Sequence, residues 1–228
     1  MPPQEDTATN ERDAWRARVG DSDRVERAAR ALIAGDMGPI AESLNMSGIG
    51  RPTIQIDPPE SELDHAPLIA LRRYWAERRG PGGAPPPIRV VDEIPPPGMD
   101  GKLHRLATDT TGFDYVFHTY AAAVAVHAGK DWTGWTMGAL ALKTGGGLGI
   151  FYRSMQAACA MTRLPVASQH NAPIWISAST WRRYTVPFLD EAGAPTHFLV
   201  ATVPIAFRRR TAEEEAEMRR RLAPGTPD

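Results

Sequence analysis

Cysteine is almost absent from this sequence: Cys159 is the only one in 228 residues. A single cysteine excludes an internal disulfide and a cysteine-rich zinc site. An excess of charge of one sign is also missing, because 26 basic and 27 acidic residues give a formal net charge of -1. Without a basic excess, the chain has no bulk electrostatic attraction to nucleic acid. We therefore expect neither a disulfide scaffold nor a nucleic-acid-binding protein.

Long hydrophobic runs are missing as well. The two longest mostly apolar stretches are residues 121–128 and 198–207, which are shorter than the ~20 residues of a membrane-spanning helix. The amino-terminal sequence Met-Pro-Pro-Gln-Glu-Asp lacks the basic and then apolar pattern of a secretory signal. Hydrophobic residues still make up 42% of the chain, which is enough for a core. We therefore expect a soluble cytoplasmic protein without a membrane partner.

Clusters of glycine and proline divide the chain into segments. In the amino-terminal part, residues 1–63, the composition predicts a polar tail, a short amphipathic helix after Ser22, and a linker over 45–59. A stronger helix begins near Ser61 or Asp64 and ends at Gly80. At the other end, residues 209–228 predict a charged helix, which starts with a capping box and has acidic residues early and basic residues late.

Between these ends, several segments alternate with a period of two, which is typical of strands. They are residues 113–118, 174–180, 181–188 and 196–207. The turn at 190–193 predicts a hairpin between the last two segments. A glycine-rich junction at 145–149 precedes an amphipathic helix over about 150–163, whereas residues 121–127 are compatible with either a strand or a helix.

Residues 64–208 resemble a PAS domain, and more narrowly the single-domain PAS-like proteins of alphaproteobacteria. The resemblance depends on the helix motif with Leu68, Leu71, Tyr74, Trp75 and Arg78, the aromatic strand 113–117, the turn 129–134, Tyr152, Pro165 and the closing hairpin 181–193. It implies an α+β fold, in which helices over one face of a five-stranded antiparallel sheet enclose a small cavity. Helical extensions would flank this sensory domain on both sides.

The resemblance also implies a function in signal transduction. It indicates a sensory or regulatory module that acts by binding a small ligand or by contacting another protein, without catalysis. A small hydrolase or isomerase with an α+β cavity is the alternative. Since Leu68, Leu71 and Trp75 form an apolar stripe, we expect a homodimer, or an interface with a signalling protein, through this helix.

The ligand site is expected where the inward-facing residues of the sheet and the long helix meet. Small-molecule sites are concave and mainly apolar, and buried tyrosine hydroxyls supply polar contacts. The candidate ligand-binding residues are Tyr115, Phe117, Tyr152, Met155, Cys159, Tyr184 and Val186. We expect no cofactor, catalytic residue or metal. Haem would require His118 or His127 as an axial ligand.

Other motifs favour structural interpretations. The glycines at 145–149 are not followed by the lysine of a phosphate-binding loop, which makes the segment a hinge. The apolar neighbours of Cys159 predict an inert buried thiol. Residues 168–171 and Ser177 lie in no nucleophile-elbow motif, and we interpret them as polar strand or loop residues.

Overall fold

Six antiparallel strands form one sheet in the computed structural model. They are β1 (Thr53–Ile56), β2 (Leu103–Thr108), β3 (Tyr115–Thr119), β4 (Val166–Asn171), β5 (Ala178–Phe188) and β6 (His197–Phe207). Their order across the sheet is β1-β4-β5-β6-β2-β3. The structure describes residues 22–46, 49–50, 52–109, 114–144, 147–172, 176–209, 211–214 and 216. The long strands β5 and β6 form the centre of the sheet as a hairpin.

In the described part of the chain, helices precede β1 and lie between the strands. They are α1 (22–33), α2 (Gly38–Met46), α3 (Ala66–Ala76), α4 (Arg89–Glu93), α5 (Ala122–Ala128), α6 (Met137–Thr144) and α7 (Gly147–Thr162). Two short 3-10 turns lie at Glu60–Glu62 and Pro81–Gly83. Within the described residues, none of the helices is both long enough and hydrophobic enough to cross a bilayer.

Helices cover both faces of the sheet, each over a separate core. One core joins α1, α2 and α7 to side chains of β2, β3, β4 and β6. The other joins α3 to Tyr184, Val186 and Phe188 of β5 and to neighbouring side chains of β6. Because successive strand residues point to opposite faces, the intervening residues of β5 point towards α7. The PAS resemblance implies that helices cover only one face of the sheet, and this expectation is therefore wrong.

The mixed α+β class and the antiparallel sheet are confirmed, but the sheet has six strands rather than five. The strand segments expected from the sequence include none of β1, β2 and β4. Strand β1 lies in the stretch expected to be a linker and pairs with β4. The segments expected at 174–180 and 181–188 are not two strands, because β5 runs without interruption from Ala178 to Phe188. Residues 113, 174 and 175 lie outside the described residues.

Prolines within β5 and β6 are accommodated where these strands have only one neighbour. Pro187 follows Thr185, the last residue of β5 that pairs with β4, and Pro204 follows Ala201, the last residue of β6 that pairs with β2. Proline lacks the N–H of a ladder bond, so it fits a locally unpaired side of a strand. This is why two prolines do not interrupt the central hairpin.

The helix predictions have mixed outcomes. The long helix is confirmed as α7, which begins earlier than expected, with Gly147 and Gly149 inside it. Residues 122–128 are helical, which settles the strand-or-helix alternative for that segment. The capping box is present: the Glu214 N–H donates to Thr211 Oγ1 over 3.2 Å, and the Thr211 N–H donates to Glu214 Oε2 over 2.9 Å. The remainder of that helix, and Gly145 and Gly146, lie outside the described residues.

The apolar stripe of α3 packs against its own sheet. Leu68, Leu71 and Trp75 are each at most 2% exposed, and the Trp75 Nε1–H donates a hydrogen bond of 2.7 Å to the carbonyl of Pro187. A stripe that is buried in this way is not available to a partner. The expectation that it forms an interface is therefore wrong, and association as a homodimer or with a signalling protein stays a prediction.

Candidate functional site

The sheet separates the residues that the sequence assigns to one cavity. Tyr115, Phe117, Met155 and Cys159 belong to the core beneath α7, and Tyr152 packs against that core. Tyr184 and Val186 instead belong to the core beneath α3. The Tyr184 hydroxyl accepts a hydrogen bond of 3.1 Å from Arg72 on that side. A single cavity lined by all seven side chains is therefore wrong, because residues 184 and 186 of β5 point away from α7.

The two histidines and the cysteine that the sequence singles out lie on three different elements. His118 is exposed on β3, and His127 contacts Ser177 and packs beside Trp181 and Phe207. Cys159 is fully buried, and this burial raises its pKa well above the usual value. Across the described ranges, no group of three or more histidine, cysteine or acidic residues is placed to hold a metal ion.

A row of polar side chains crosses the face of the sheet that α7 covers. Arg183 on β5 pairs with Ser168 on β4 and with Thr202 on β6. Directly opposed residues of antiparallel strands have Cβ atoms roughly 4.5–5.5 Å apart. All three residues are at most 7% exposed. Among the described residues, Ser168 Oγ, Arg183 Nε and Thr202 Oγ1 have no hydrogen-bond partner.

Helix α7 and the end of β4 add three more polar groups, of which Gln156 and His170 are buried and Tyr152 is partly buried. Tyr152 stacks on the guanidinium of Arg183, with 4.2 Å from Cζ to the ring centroid, and its hydroxyl lies 2.8 Å from Nε2 of His170. Gln156 follows Tyr152 by one turn, which places it on the same side of the helix. Neither amide atom of Gln156, nor Nδ1 of His170, has a partner among the described residues. We call Tyr152, Gln156, Ser168, His170, Arg183 and Thr202 the Arg183 cluster.

The electrostatics of the Arg183 cluster are unusual for a protein interior. Burial, reinforced by the positive charge of Arg183, holds the pKa of His170 well below its usual value, so this imidazole is neutral. The same two causes lower the pKa of the neighbouring buried His104. Burial raises the pKa of Tyr152. Arg183 is therefore a positive charge among neutral groups.

A second buried arginine shows what Arg183 lacks. Arg153 is 3% exposed, and its Nε lies 3.7 Å from Oδ1 of Asp114. In the part of the chain that the structure describes, no carboxylate lies within ion-pair distance of Arg183. A buried charge without a partner costs several kcal/mol. The Arg183 cluster thus combines uncompensated positive charge with unused hydrogen-bonding capacity.

Of this cluster, the sequence predicts Tyr152 as a ligand-binding residue, whereas it favours a structural interpretation of Ser168 and His170 as polar strand or loop residues. Arg183 belongs to the closing hairpin of the PAS resemblance and is not among the candidate ligand-binding residues. A signal was present, because the polar residues at 168 and 170 alternate in the same way as the apolar residues of a buried strand face. Recognising it requires knowing that α7 covers this face.

The two neutral histidines predict a dependence of folding stability on pH. In the unfolded chain, histidine side chains bind protons with a pKa of about 6.5. Folding lowers the pKa of His104 and His170. Stability should be fully present above about pH 6.5 and should fall as the pH decreases below it, by up to about 1.4 kcal/mol per pH unit for each histidine. Urea unfolding between pH 7.5 and 5 measures this slope.

A substitution measures how much His170 contributes to the pH dependence of folding stability. His170→Gln should reduce the slope by about one proton, with His118→Gln as the control for removing an exposed imidazole. An unchanged slope in His170→Gln would show that His170 is not held neutral by the fold.

Known proteins give no independent indication of what the Arg183 cluster does. Comparison of the chain with protein-family models, with curated proteins and with solved structures found no match.

Proposed function

We propose that this protein is a PAS-like sensory or regulatory module that binds a small ligand at the Arg183 cluster. The order of its elements supports the PAS resemblance: the β2–β3 pair is followed by helices α5, α6 and α7, and then by the three closing strands. The observation that carries the proposal is the Arg183 cluster itself, a buried set of polar groups with unused hydrogen-bonding atoms.

Unused polar atoms in a protein interior favour a ligand. Buried polar groups are almost always hydrogen-bonded, and a buried group without a partner costs about 1–3 kcal/mol. Six such atoms lie on five residues of this cluster: Gln156, Ser168, His170, Arg183 and Thr202. A ligand with complementary groups would bond these atoms and stabilise the folded state in proportion to its concentration.

Contacts of α7 suggest how binding would be transmitted. On one side, α7 places Tyr152 in the Arg183 cluster. On the other side, the Ser154 hydroxyl donates to the carbonyl of Val25 over 3.3 Å, and the Ser43 hydroxyl donates to the carbonyl of Gly147 over 2.8 Å. A ligand that shifts α7 would therefore act on α1 and α2. In this proposal, α1 and α2 present the signal to a partner protein.

The experiment combines recovery of ligand with mapping of its site. Small molecules released by denaturing natively purified protein would be identified by mass spectrometry and added back to ligand-free protein. NMR amide shifts should then change in α7, β4, β5 and β6, and also in α1. A bound molecule that leaves α7 and these strands unperturbed would contradict the proposal.

One observation favours the alternative of a small hydrolase or isomerase. The Tyr152 hydroxyl and the neutral imidazole of His170 are hydrogen-bonded beside a cation, and such a pair is able to transfer protons. The same experiment separates the two functions. A regulatory module returns its ligand unchanged after prolonged incubation, whereas an enzyme converts it, and His170→Gln would abolish that conversion.

A further inference from the structure

We infer that the Arg183 cluster binds a small organic monocarboxylate through the Arg183 guanidinium. The inference rests on the proposed function and names the chemical class of its ligand. It follows from three features of the cluster, which are its charge, its donors and its aromatic wall.

The single positive charge of the cluster matches a ligand with one negative charge. Arg183 contributes one positive charge, and burial keeps His104 and His170 neutral beside it. Among the described residues, no carboxylate lies within ion-pair distance of Arg183 to repel an anion. A monocarboxylate balances the guanidinium, whereas a phosphate ester, with a charge of about -1.5 to -2, would exceed it.

The donors of the cluster suit an acceptor with two oxygens. An ionised carboxylate only accepts hydrogen bonds, and a guanidinium binds both of its oxygens in a fork. Stacking on Tyr152 fixes the plane of the Arg183 guanidinium. Ser168 and Thr202 lie on either side of Arg183 in the register, so their hydroxyls flank it. The amide of Gln156, which is buried one turn after Tyr152 on α7, would provide further N–H donors.

Aromatic rings next to the donors favour an organic ligand over an inorganic anion. The rings of Phe151, Tyr152 and His170 lie 5.0–5.3 Å from one another, centroid to centroid. Phe151 is fully buried. These rings form an apolar wall beside the polar row, which would contact the hydrocarbon part of a carboxylate.

The experiment uses defined probes on the full chain after removal of any bound ligand. Acetate, butyrate and benzoate would be titrated by calorimetry and NMR, with benzamide as the uncharged analogue of benzoate and with inorganic phosphate. We expect at least one carboxylate to bind with shifts in α7, β4, β5 and β6. The affinity of benzoate should exceed that of benzamide by roughly tenfold or more, since hydrogen bonds to charged groups are stronger than those to neutral groups. The carboxylate should also bind more tightly than phosphate, because the charge of phosphate exceeds that of the guanidinium.

Variants test the role of Arg183 directly. Arg183→Met should abolish carboxylate binding, and Arg183→Lys, which keeps the charge but loses the fork, should weaken it roughly tenfold. Arg182→Met is the matched control, because the preceding residue of β5 points to the other face and pairs with Asp64. It should bind carboxylates as the wild type does.

The possible failures are distinguishable. Equal binding of benzoate and benzamide at the Arg183 cluster, or a preference for phosphate there, would overturn the carboxylate inference and leave the proposed function intact. Carboxylate binding that Arg183→Met and Arg183→Lys do not weaken would overturn the inference as well. If no probe binds and the purified protein releases no small molecule, both the inference and the proposed function are overturned.

Discussion

Replacing Arg183 with methionine should make the ligand-free protein more stable. Arg183 is 5% exposed, and no carboxylate of the described residues pairs with it. Replacing buried ionic groups with apolar side chains of similar size is often neutral or stabilising, by about 1–4 kcal/mol. The methionine retains part of the aliphatic stem and removes the charge. Urea unfolding of dialysed protein at pH 7.5 measures the free energy of unfolding.

Arg153→Met is the matched control, and its expected effect has the opposite sign. Arg153 is equally buried but lies near Asp114, which also accepts hydrogen bonds from the N–H of Gly138. Removing one partner of a buried pair leaves the other charge uncompensated and costs about 3–5 kcal/mol. If Arg183→Met destabilises the protein as much as Arg153→Met does, the prediction is wrong, because the guanidinium of Arg183 then stabilises the ligand-free protein.

Replacing Trp75 with alanine should remove a large part of the stability of the domain. Trp75 is 2% exposed in the core beneath α3, and its indole N–H donates to the carbonyl of Pro187. Truncating a buried tryptophan costs about 3–5 kcal/mol, which is a large fraction of the ~5–15 kcal/mol that stabilises a typical domain. Thermal or urea unfolding measures the loss, and Trp75→Phe should cost less because it keeps an aromatic ring.

The control for Trp75 is Val126→Ala, which truncates a side chain that is 78% exposed on α5. This substitution should change the free energy of unfolding by no more than about 0.5 kcal/mol. Sedimentation distinguishes a packing role of Trp75 from an interface role. A Trp75→Ala protein that stays fully folded and changes only from dimer to monomer would contradict the burial of this helix face.

Strong periodicity made some elements predictable from the sequence. The apolar spacing of α7 and the alternation in β6 each extend over more than ten residues, and the turn at 190–193 joins β5 to β6 as expected. The short strand β3 overlaps its predicted segment 113–118, whereas β1, β2 and β4 were not predicted because their patterns are weak. In β4, Val-Ala-Ser-Gln-His-Asn has polar side chains on its buried face, which resembles a loop more than a strand.

The candidate site was harder to predict because a central strand is buried on both faces. In β5, Arg183 and Tyr184 are both buried, under different helices. Alternation divides such residues into two sets but does not reveal which helix covers each set. An arginine next to apolar residues on a strand is ordinarily assigned to the solvent side. Only the packing of α7 over β4 and β5 makes Arg183 an interior charge.

The four residues of β1 protect one border of the sheet. Thr53–Ile56 pair with residues 166–169 of β4, so the outer backbone groups of β4 along this stretch are bonded within the chain. A strand edge without such a cover can add a strand from another molecule. Detachment of β1 would therefore convert β4 into an acceptor for an extended peptide, and the border of the sheet would become a place where chains join.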